Sequence, residues 1–140
     1  MIAIGSDHGG YELKELVKKH LDEIGEKYDD LGCYSLESVD YPAFGRAVAQ
    51  AVAKGEADKG IVICTTGIGI SIVANKVKGI RCALCADTVS ARLTREHNDA
   101  NVLCMGAQII GFVTAREITK TFLSNPFVGG KHKVRVDMLE

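Results

Sequence analysis

The sequence lacks any apolar run long enough to cross a bilayer, and its N-terminus, MIAIGSDHGG, lacks the basic and apolar regions of a secretion signal. A spanning helix needs about 20 predominantly apolar residues, and a signal peptide needs a charged region followed by an apolar one. We therefore expect no membrane association and no export. The protein is predicted to act in the cytoplasm.

Net charge is also nearly absent, because 17 Lys and Arg residues oppose 18 Asp and Glu residues. Proteins that bind nucleic acids or anionic membranes usually present a strong positive field, so neither partner is expected. The 140 residues, 46% hydrophobic and 25% charged, suit a globular protein with one core. Residues 1–140 are predicted to form a single domain with a small-molecule ligand.

A disulfide framework is missing as well, since the cysteines are odd in number and lie mostly in apolar segments. They are Cys33, Cys64, Cys82, Cys85 and Cys104. In a reducing compartment this pattern indicates free thiols. Cys82 and Cys85 form a C-x-x-C inside a predicted strand, without a redox turn or a second ligand pair for zinc. They are predicted to be core residues, and no metal site is expected.

Apolar segments alternate with segments of helical period along the whole chain. The predicted strands are 2–5, 28–31, 61–64, 80–86 and 100–106, and the predicted helices are 11–24, 42–52, 71–77, 88–98 and 114–123. Strands that are apolar throughout and separated by helices form parallel sheets covered on both faces. The fold class is therefore α/β, a sandwich of about five strands. Residues 125–140, with a Gly-Gly pair and four basic residues, are predicted to form a C-terminal arm.

Ligands of such sheets bind beyond the carboxyl ends of the strands, where this chain has SDHGG and CTTGIGIS. Gly67 and Gly69 suggest a dinucleotide loop, but the third glycine of that motif falls on Ile72. Asp87 is placed for a ribose contact, and it could equally cap a helix. The disfavoured alternative is thus a dinucleotide cofactor. The favoured one is a turn whose backbone N–H groups face an anion or an oxyanion.

Several side chains near these turns could carry chemistry, and each also has a purely structural interpretation. Cys64 could be a small buried hydrophobe or a thiolate base beside a helix N-terminus. His8 and His97 could be surface residues, or they could join Cys64 on the ligand face as acid and base. His20 is predicted to be solvated. Lys131 and Arg135 could be solvated or could clamp a phosphate.

Taken together, SDHGG, DYP at 40–42, ICTTGIGISIVANK, REHNDANVLCMG and GGKHKVRV resemble the sugar-phosphate isomerase family that includes ribose-5-phosphate isomerase B. The resemblance covers essentially the whole chain in one order. It implies a three-layer Rossmann-like sandwich with strand order 2-1-3-5-4. It also implies homodimers whose active sites combine both subunits, with a tetramer as the alternative. The implied reaction is aldose–ketose isomerisation through a cis-enediolate, without metal or organic cofactor.

The resemblance also implies a role for individual residues. Cys64 matches the base, Thr66 and His97 match the residues that assist ring opening, and Asn98 is their neighbour. The expected substrate-binding positions are Asp7, His8, Gly67, Ile68, Gly69, Ile70, Ser71, Asn98, Lys131 and Arg135. Of these, the backbone of residues 67–71 matches the hole that stabilises the enediolate, and Arg135 a phosphate ligand.

Three positions depart from the family pattern. Ile70 stands where some members have a glutamate base, so the base falls to Cys64. Lys131 and Gln108 stand where phosphate-binding arginines are found, and a lysine keeps the charge without bidentate geometry. The predicted substrate pair is D-ribose 5-phosphate and D-ribulose 5-phosphate. Allose or galactose 6-phosphate is the alternative within the family, and a non-catalytic sugar-phosphate-binding module is the alternative from another class.

Overall fold

The computed structural model describes all 140 residues and contains one parallel sheet. Its strands are β1 (Ile2–Ser6), β2 (Tyr28–Asp30), β3 (Lys59–Cys64), β4 (Cys82–Leu84) and β5 (Val102–Gly106). They lie in the order β2-β1-β3-β5-β4, and every neighbouring pair is parallel. The α/β class, the five strands and the strand order are therefore confirmed.

One 3₁₀ turn and four α-helices connect the strands, and two further α-helices follow β5. The helices are α1 (Tyr11–Glu23), α2 (Tyr41–Ala53), α3 (Ile68–Asn75), α4 (Thr88–Asn98), α5 (Phe112–Ser124) and α6 (Lys131–Val136), and the 3₁₀ helix is His8–Gly10. None of them is both long and apolar enough to span a bilayer. Helix α3 begins three residues earlier than the sequence pattern predicts, which places the glycine-rich turn directly at its N-terminus.

Two hydrophobic clusters sandwich the sheet. One contains side chains of α1, α4 and α5, and the other contains side chains of α2 and α3. Strands β1 and β5 are buried at every residue, which explains why their sequences show no polar alternation. Because the strands are parallel, their C-terminal ends all lie at one end of the sheet, here called the carboxyl end. The helices return the chain to the opposite, amino end.

Asp87 caps α4, and its Oδ1 accepts a hydrogen bond from the Ser90 N–H at 2.7 Å. Because hydrogen bonds from Ser90 stabilise the ionised carboxylate, they lower the pKa of Asp87. The carboxylate thus has a capping role, and the residue that kept the dinucleotide interpretation open is explained by local structure.

A lysine that the sequence pattern does not single out is fully buried in α1. The Lys14 Nζ donates to both carboxylate oxygens of Asp30, at 2.6 and 2.7 Å, and to the Cys33 carbonyl at 2.6 Å. A buried charge is tolerated only when it is paired in this way. These bonds attach the loop after β2 to α1, and that loop supplies a contact to His8.

The prediction for His20 is wrong, and the prediction for the C-terminal arm is refined. His20 is only 5% exposed, because the face of α1 that carries it packs against α5. Its Nε2 has no hydrogen-bond partner in the chain, and burial lowers the pKa of its imidazole. Part of the predicted arm folds as α6, which packs on α4.

Candidate active site

The turn after β3 is built around the sulfur of Cys64. Cys64 is the last residue of β3 and is 5% exposed, and its Sγ accepts a hydrogen bond from the Gly67 N–H at 3.1 Å. Gly67 has a φ of 80°, and a Cβ there would lie 2.5 Å from a Leu84 methyl carbon. The left-handed φ therefore favours glycine at the residue that contacts the sulfur, and a Cβ there would also displace the Leu84 side chain.

The other side of the Gly67 residue is also held by a thiol. The Cys104 Sγ–H donates to the Gly67 carbonyl at 3.0 Å. Burial raises the pKa of the Cys104 thiol well above its usual value, with further contributions from neighbouring cysteines. Cys104 therefore remains a protonated donor. The prediction that it is a packing residue holds, and the structure adds a bond that steadies the turn.

Two backbone donors at the start of α3 are free. The Gly67 N–H contacts the Cys64 sulfur, the Ile68 N–H donates to the Thr66 Oγ1, and the Ser71 N–H donates to the Gly67 carbonyl. The N–H groups of Gly69 and Ile70 donate to no acceptor of the chain. Among the five residues predicted to form an oxyanion hole, these two thus have donors available in the first helical turn.

The Ile70 side chain plays no part in the open site. It is fully buried against α2, where a Cβ added at Gly45 would lie 2.7 Å from it. The substrate-binding prediction for Ile70 therefore concerns its backbone alone. Ser71 is also largely buried, and its Oγ donates to the Ile68 carbonyl at 2.7 Å.

Asp7 and His8 follow β1 and lie beside the end of β3. The Asp7 N–H donates to the Ile63 carbonyl at 3.3 Å, and its Oδ1 accepts from the Gly10 N–H at 3.0 Å. The His8 Nδ1 accepts from the Val39 N–H at 3.1 Å. A neutral His8 must then carry its proton on Nε2, which makes that nitrogen a donor. Asp7, His8, Cys64 and Thr66 thus lie together at the carboxyl end.

The remaining predicted site residues lie at the amino end of the sheet. His97 and Asn98 are the last two residues of α4. Together with Arg135 of α6 they line a cavity of about 270 Å³. The Asn98 carbonyl accepts from the Nε of Arg81, the residue that precedes β4. The prediction that His97 shares the ligand face of Cys64 is therefore wrong within one chain. Helix α4 runs antiparallel to the strands, so its last turn returns to the opposite end.

The sheet separates the two groups by most of its height. Asn98 and Asn101 adjoin the start of β5, whereas Cys64 pairs with Gly106 at its end. Four strand steps of about 3.3 Å amount to roughly 13 Å. A second cavity, about 570 Å³, also lies at the amino end beside Asn98, and Cys64 does not line it. One chain therefore does not bring Cys64 and His97 around one small molecule.

The sequence pattern missed three residues that shape these two groups. The Tyr41 ring lies against Gly69, where an added Cβ would approach within 2.6 Å of it, and Val39 orients His8. The third is His132, whose ring stacks on His97. The only signal for His132 was its place in the basic segment KHK, which gives no indication of an aromatic contact.

No three His, Cys, Asp or Glu side chains converge as ligands for a metal ion. Cys85 is buried, and burial raises the pKa of its thiol to about 12. Both Cys85 and the half-buried Cys82 are free thiols. Their assignment as core residues agrees with these surroundings.

Comparison with known proteins identifies the family. The family model described as Ribose/Galactose Isomerase matches residues 2–139. Ribose-5-phosphate isomerase B of Escherichia coli is 46% identical over 138 residues, which cover 99% of this chain and 93% of that protein.

Two solved structures extend the match to three dimensions. The first is ribose-5-phosphate isomerase B of Clostridium thermocellum, with a TM-score of 0.97, 52% identity and coverage of 99% and 93% of the two chains. The second is the Mycoplasma genitalium enzyme with bound ribulose 5-phosphate, with a TM-score of 0.94, 40% identity and coverage of 99% and 92%. The chain therefore belongs to the ribose/galactose isomerase family.

Proposed function

We propose that this protein interconverts D-ribose 5-phosphate and D-ribulose 5-phosphate by moving a proton between C1 and C2 through a cis-enediolate. The observation that carries the proposal is the turn after β3, where the Cys64 sulfur lies within one helical turn of two free backbone donors. The relatives named above, which are ribose-5-phosphate isomerases, support the same substrate pair.

Cys64 is the base in this proposal. The Gly67 N–H that donates to its sulfur stabilises a thiolate more strongly than a thiol, because hydrogen bonds to charged acceptors are stronger. General acid–base catalysis contributes about 10²- to 10⁴-fold to a rate. Cys64 removes the proton from C2 of the aldose or from C1 of the ketose, which gives the same enediolate, and the same sulfur returns the proton to the other of these two carbons.

The free N–H groups of Gly69 and Ile70 stabilise the enediolate. Negative charge develops on the carbonyl oxygen as the proton leaves, and a preorganised donor in a dry site contributes about 3 to 4 kcal/mol. Base and donors belong to one backbone segment, so their relative positions are set by the Gly67 turn. Asp7 and His8 are the substrate-binding residues on the same side of the sheet, with His8 Nε2 as a donor to the sugar phosphate.

We further propose that a second copy of the chain completes each site. His97, Asn98, Lys131 and Arg135 lie at the amino end, so they reach a substrate on Cys64 only from a partner subunit. In such a two-fold dimer each subunit gives its carboxyl end to one site and its amino end to the other. His97 and Thr66 then assist ring opening, while Lys131 and Arg135 bind phosphate.

An exposed apolar patch beside the Cys64 turn supports this dimer. Ile68 and Ile72, one turn apart on α3, are 55% and 54% exposed, and Leu84 next to Gly67 is 43% exposed. Contiguous exposed apolar side chains commonly mark protein–protein contact sites. The patch adjoins the carboxyl-end group, where the partner's residues are needed.

The proposal includes one domain over residues 1–140, no metal or organic cofactor and a cytoplasmic location. One sheet carries both hydrophobic clusters, which suits a single domain. Five free cysteines suit a reducing compartment.

An isomerase assay tests the function directly. Purified protein is given ribose 5-phosphate, allose 6-phosphate or galactose 6-phosphate, and ketose formation is followed with and without EDTA. Turnover of ribose 5-phosphate with the highest kcat/KM, unaffected by EDTA, is expected. Preference for a hexose phosphate would refute the substrate, and no turnover of any of the three would refute the isomerase function.

A further inference from the structure

Two imidazole rings from different helices stack at the amino end of the sheet. The ring centroids of His97 in α4 and His132 in α6 are 4.2 Å apart, and the ring planes are inclined by only 9°. Both side chains are half-buried. A nearly parallel pair at this distance is in van der Waals contact over the ring faces, so each ring restricts the rotation of the other.

The position of His132 is set by residues 125–128, here called the strap, which follow α5 and are fixed to α4. The Arg95 Nε donates to the Asn125 carbonyl at 3.1 Å, and the Val128 N–H donates to the Glu96 carbonyl at 3.0 Å. Both anchors come from the residues just before His97. The chain then turns at Gly129 and Gly130, and α6 begins with its second residue facing the ring of His97.

The stack is the contact that orients His97. Neither ring nitrogen of His97 forms a hydrogen bond within the chain. The His97 ring instead stacks on the ring of His132. Catalytic histidines are commonly oriented by a hydrogen bond to the second nitrogen, which leaves one nitrogen for chemistry. Here ring stacking replaces that bond, and neither nitrogen of His97 is engaged in a hydrogen bond within the chain.

The surrounding charges favour an uncharged ring at position 132. Burial, the neighbouring His97 and the cations Lys131 and Arg135 all lower the pKa of His132. The other charged groups nearby are already paired: Glu96 with Arg92, Asp99 with Arg81 and Arg95, and Lys133 with Asp137. A neutral ring stacks on His97 without charge repulsion, so the orientation is kept near neutral pH.

We propose that His132 is a positioning residue for His97, which holds its imidazole by ring stacking in the orientation that ring opening of the sugar phosphate requires. This inference rests on the proposed function, in which His97 assists ring opening. His132 touches neither the reacting carbon nor Cys64 in this scheme. The competing role, a direct phosphate contact alongside Lys131 and Arg135, is an outcome that the experiment separates.

Three variants distinguish the roles. His132→Ala removes the stack, His132→Phe keeps an aromatic face without ring nitrogens, and Lys133→Ala is the matched control in the same helix. A misplaced catalytic group can cost about 100-fold in rate, so His132→Ala is expected to lower kcat for ribose 5-phosphate by about 10- to 100-fold. His132→Phe is expected to recover most of that loss, and Lys133→Ala to behave as the wild type.

A second measurement separates ring opening from proton transfer. Ribulose 5-phosphate has no hydroxyl placed to close a five-membered ring, so exchange of its C1 hydrogen with deuterated solvent needs Cys64 but no ring opening. His132→Ala is expected to retain exchange while losing turnover of ribose 5-phosphate. Equal losses in both, or a raised KM with an unchanged kcat, would overturn the positioning role and favour phosphate binding.

A double-mutant cycle provides the final check. If His132 acts through His97, His132→Ala is expected to have almost no further effect in a His97→Asn background, whereas additive losses would overturn the inference. Wild-type protein that neither turns over ribose 5-phosphate nor exchanges ribulose 5-phosphate would instead refute the proposed function. The two failures are therefore distinguishable.

Discussion

The backbone N–H of Gly67 donates a hydrogen bond to the sulfur of Cys64 over 3.1 Å. The same residue has a φ of 80° and begins the turn that leads into α3. A single glycine thus joins the proposed base to the proposed oxyanion donors. Substitutions at Cys64 or Gly67 are therefore expected to lower kcat more than they raise KM.

Replacing the base tests the proton-transfer step. Cys64→Ala is expected to lower kcat by about 10²- to 10⁴-fold, because general-base catalysis is lost. Exchange of the C1 hydrogen of ribulose 5-phosphate with deuterated solvent should disappear with it. Cys82→Ala, which removes a half-buried thiol on β4, is the control and should leave both rates unchanged. Near-normal turnover by Cys64→Ala would show that another group is the base.

Two glycines with similar conformations separate strain from catalysis. Gly67 and Gly79 have φ values of 80° and 87°, but a Cβ at Gly79 meets no atom within 4 Å. Gly79→Ala should cost about 1 to 2 kcal/mol of unfolding free energy and leave kcat unchanged. Gly67→Ala should cost more and also lower kcat about 100-fold, as loss of an oxyanion donor does. Urea denaturation and steady-state kinetics measure the two effects, and equal kcat values would argue against the role of the turn.

Mixing inactive variants tests the shared site. In a heterodimer of Cys64→Ala and His97→Asn subunits, one of the two sites combines an intact Cys64 with an intact His97. Random reassociation should therefore restore about a quarter of wild-type activity. The control mixes Cys64→Ala with Asp7→Asn, two changes at the carboxyl end of the sheet, and should recover nothing. Failure of both mixtures would place each complete site within one subunit.

Buried His20 predicts a pH dependence of stability. Burial lowers the pKa of His20 below its usual value of 6.5, with opposing contributions from Glu23 and Arg116 among its neighbours. The unfolded chain then binds a proton more readily than the folded one, so this contribution to stability is present above pH 6.5 and is lost as the pH falls towards the folded pKa.

Replacement of the residue removes that effect. His20→Leu is expected to flatten the change in unfolding free energy between pH 7 and about 5, measured by urea denaturation. An unchanged slope in the variant would show that other groups dominate the acid response.

The fold was largely predictable because its signals are local. Uninterrupted apolar strands and amphipathic helices report burial within a few residues, and they yielded the α/β class and the five strands. Boundaries were less secure where propensity is weak. Helix α3, for example, begins at Ile68, inside the glycine-rich turn. Gly67 with its positive φ precedes the first helical turn, which contains the free N–H groups and the buried Ile70.

Position across the fold was not predictable from the same signals. The period of α1 is equally consistent with a solvated or a buried His20, and only the packing of α5 against α1 decides between them. In the sequence, His132 is one basic residue among others. Only the structure shows that the strap, residues 125–128, is fixed to α4 and that the His132 ring stacks on His97.

By itself the sequence determined that strands alternate with helices, that a glycine-rich turn follows Cys64, and that the chain resembles a family of sugar-phosphate isomerases. Only the tertiary structure decided which groups meet. The direction of α4 places His97 at the amino end while the end of β3 places Cys64 at the carboxyl end, and the sheet lies between them. Periodicity records which face of an element is buried, whereas the end of the sheet that a residue reaches depends on chain direction and strand order.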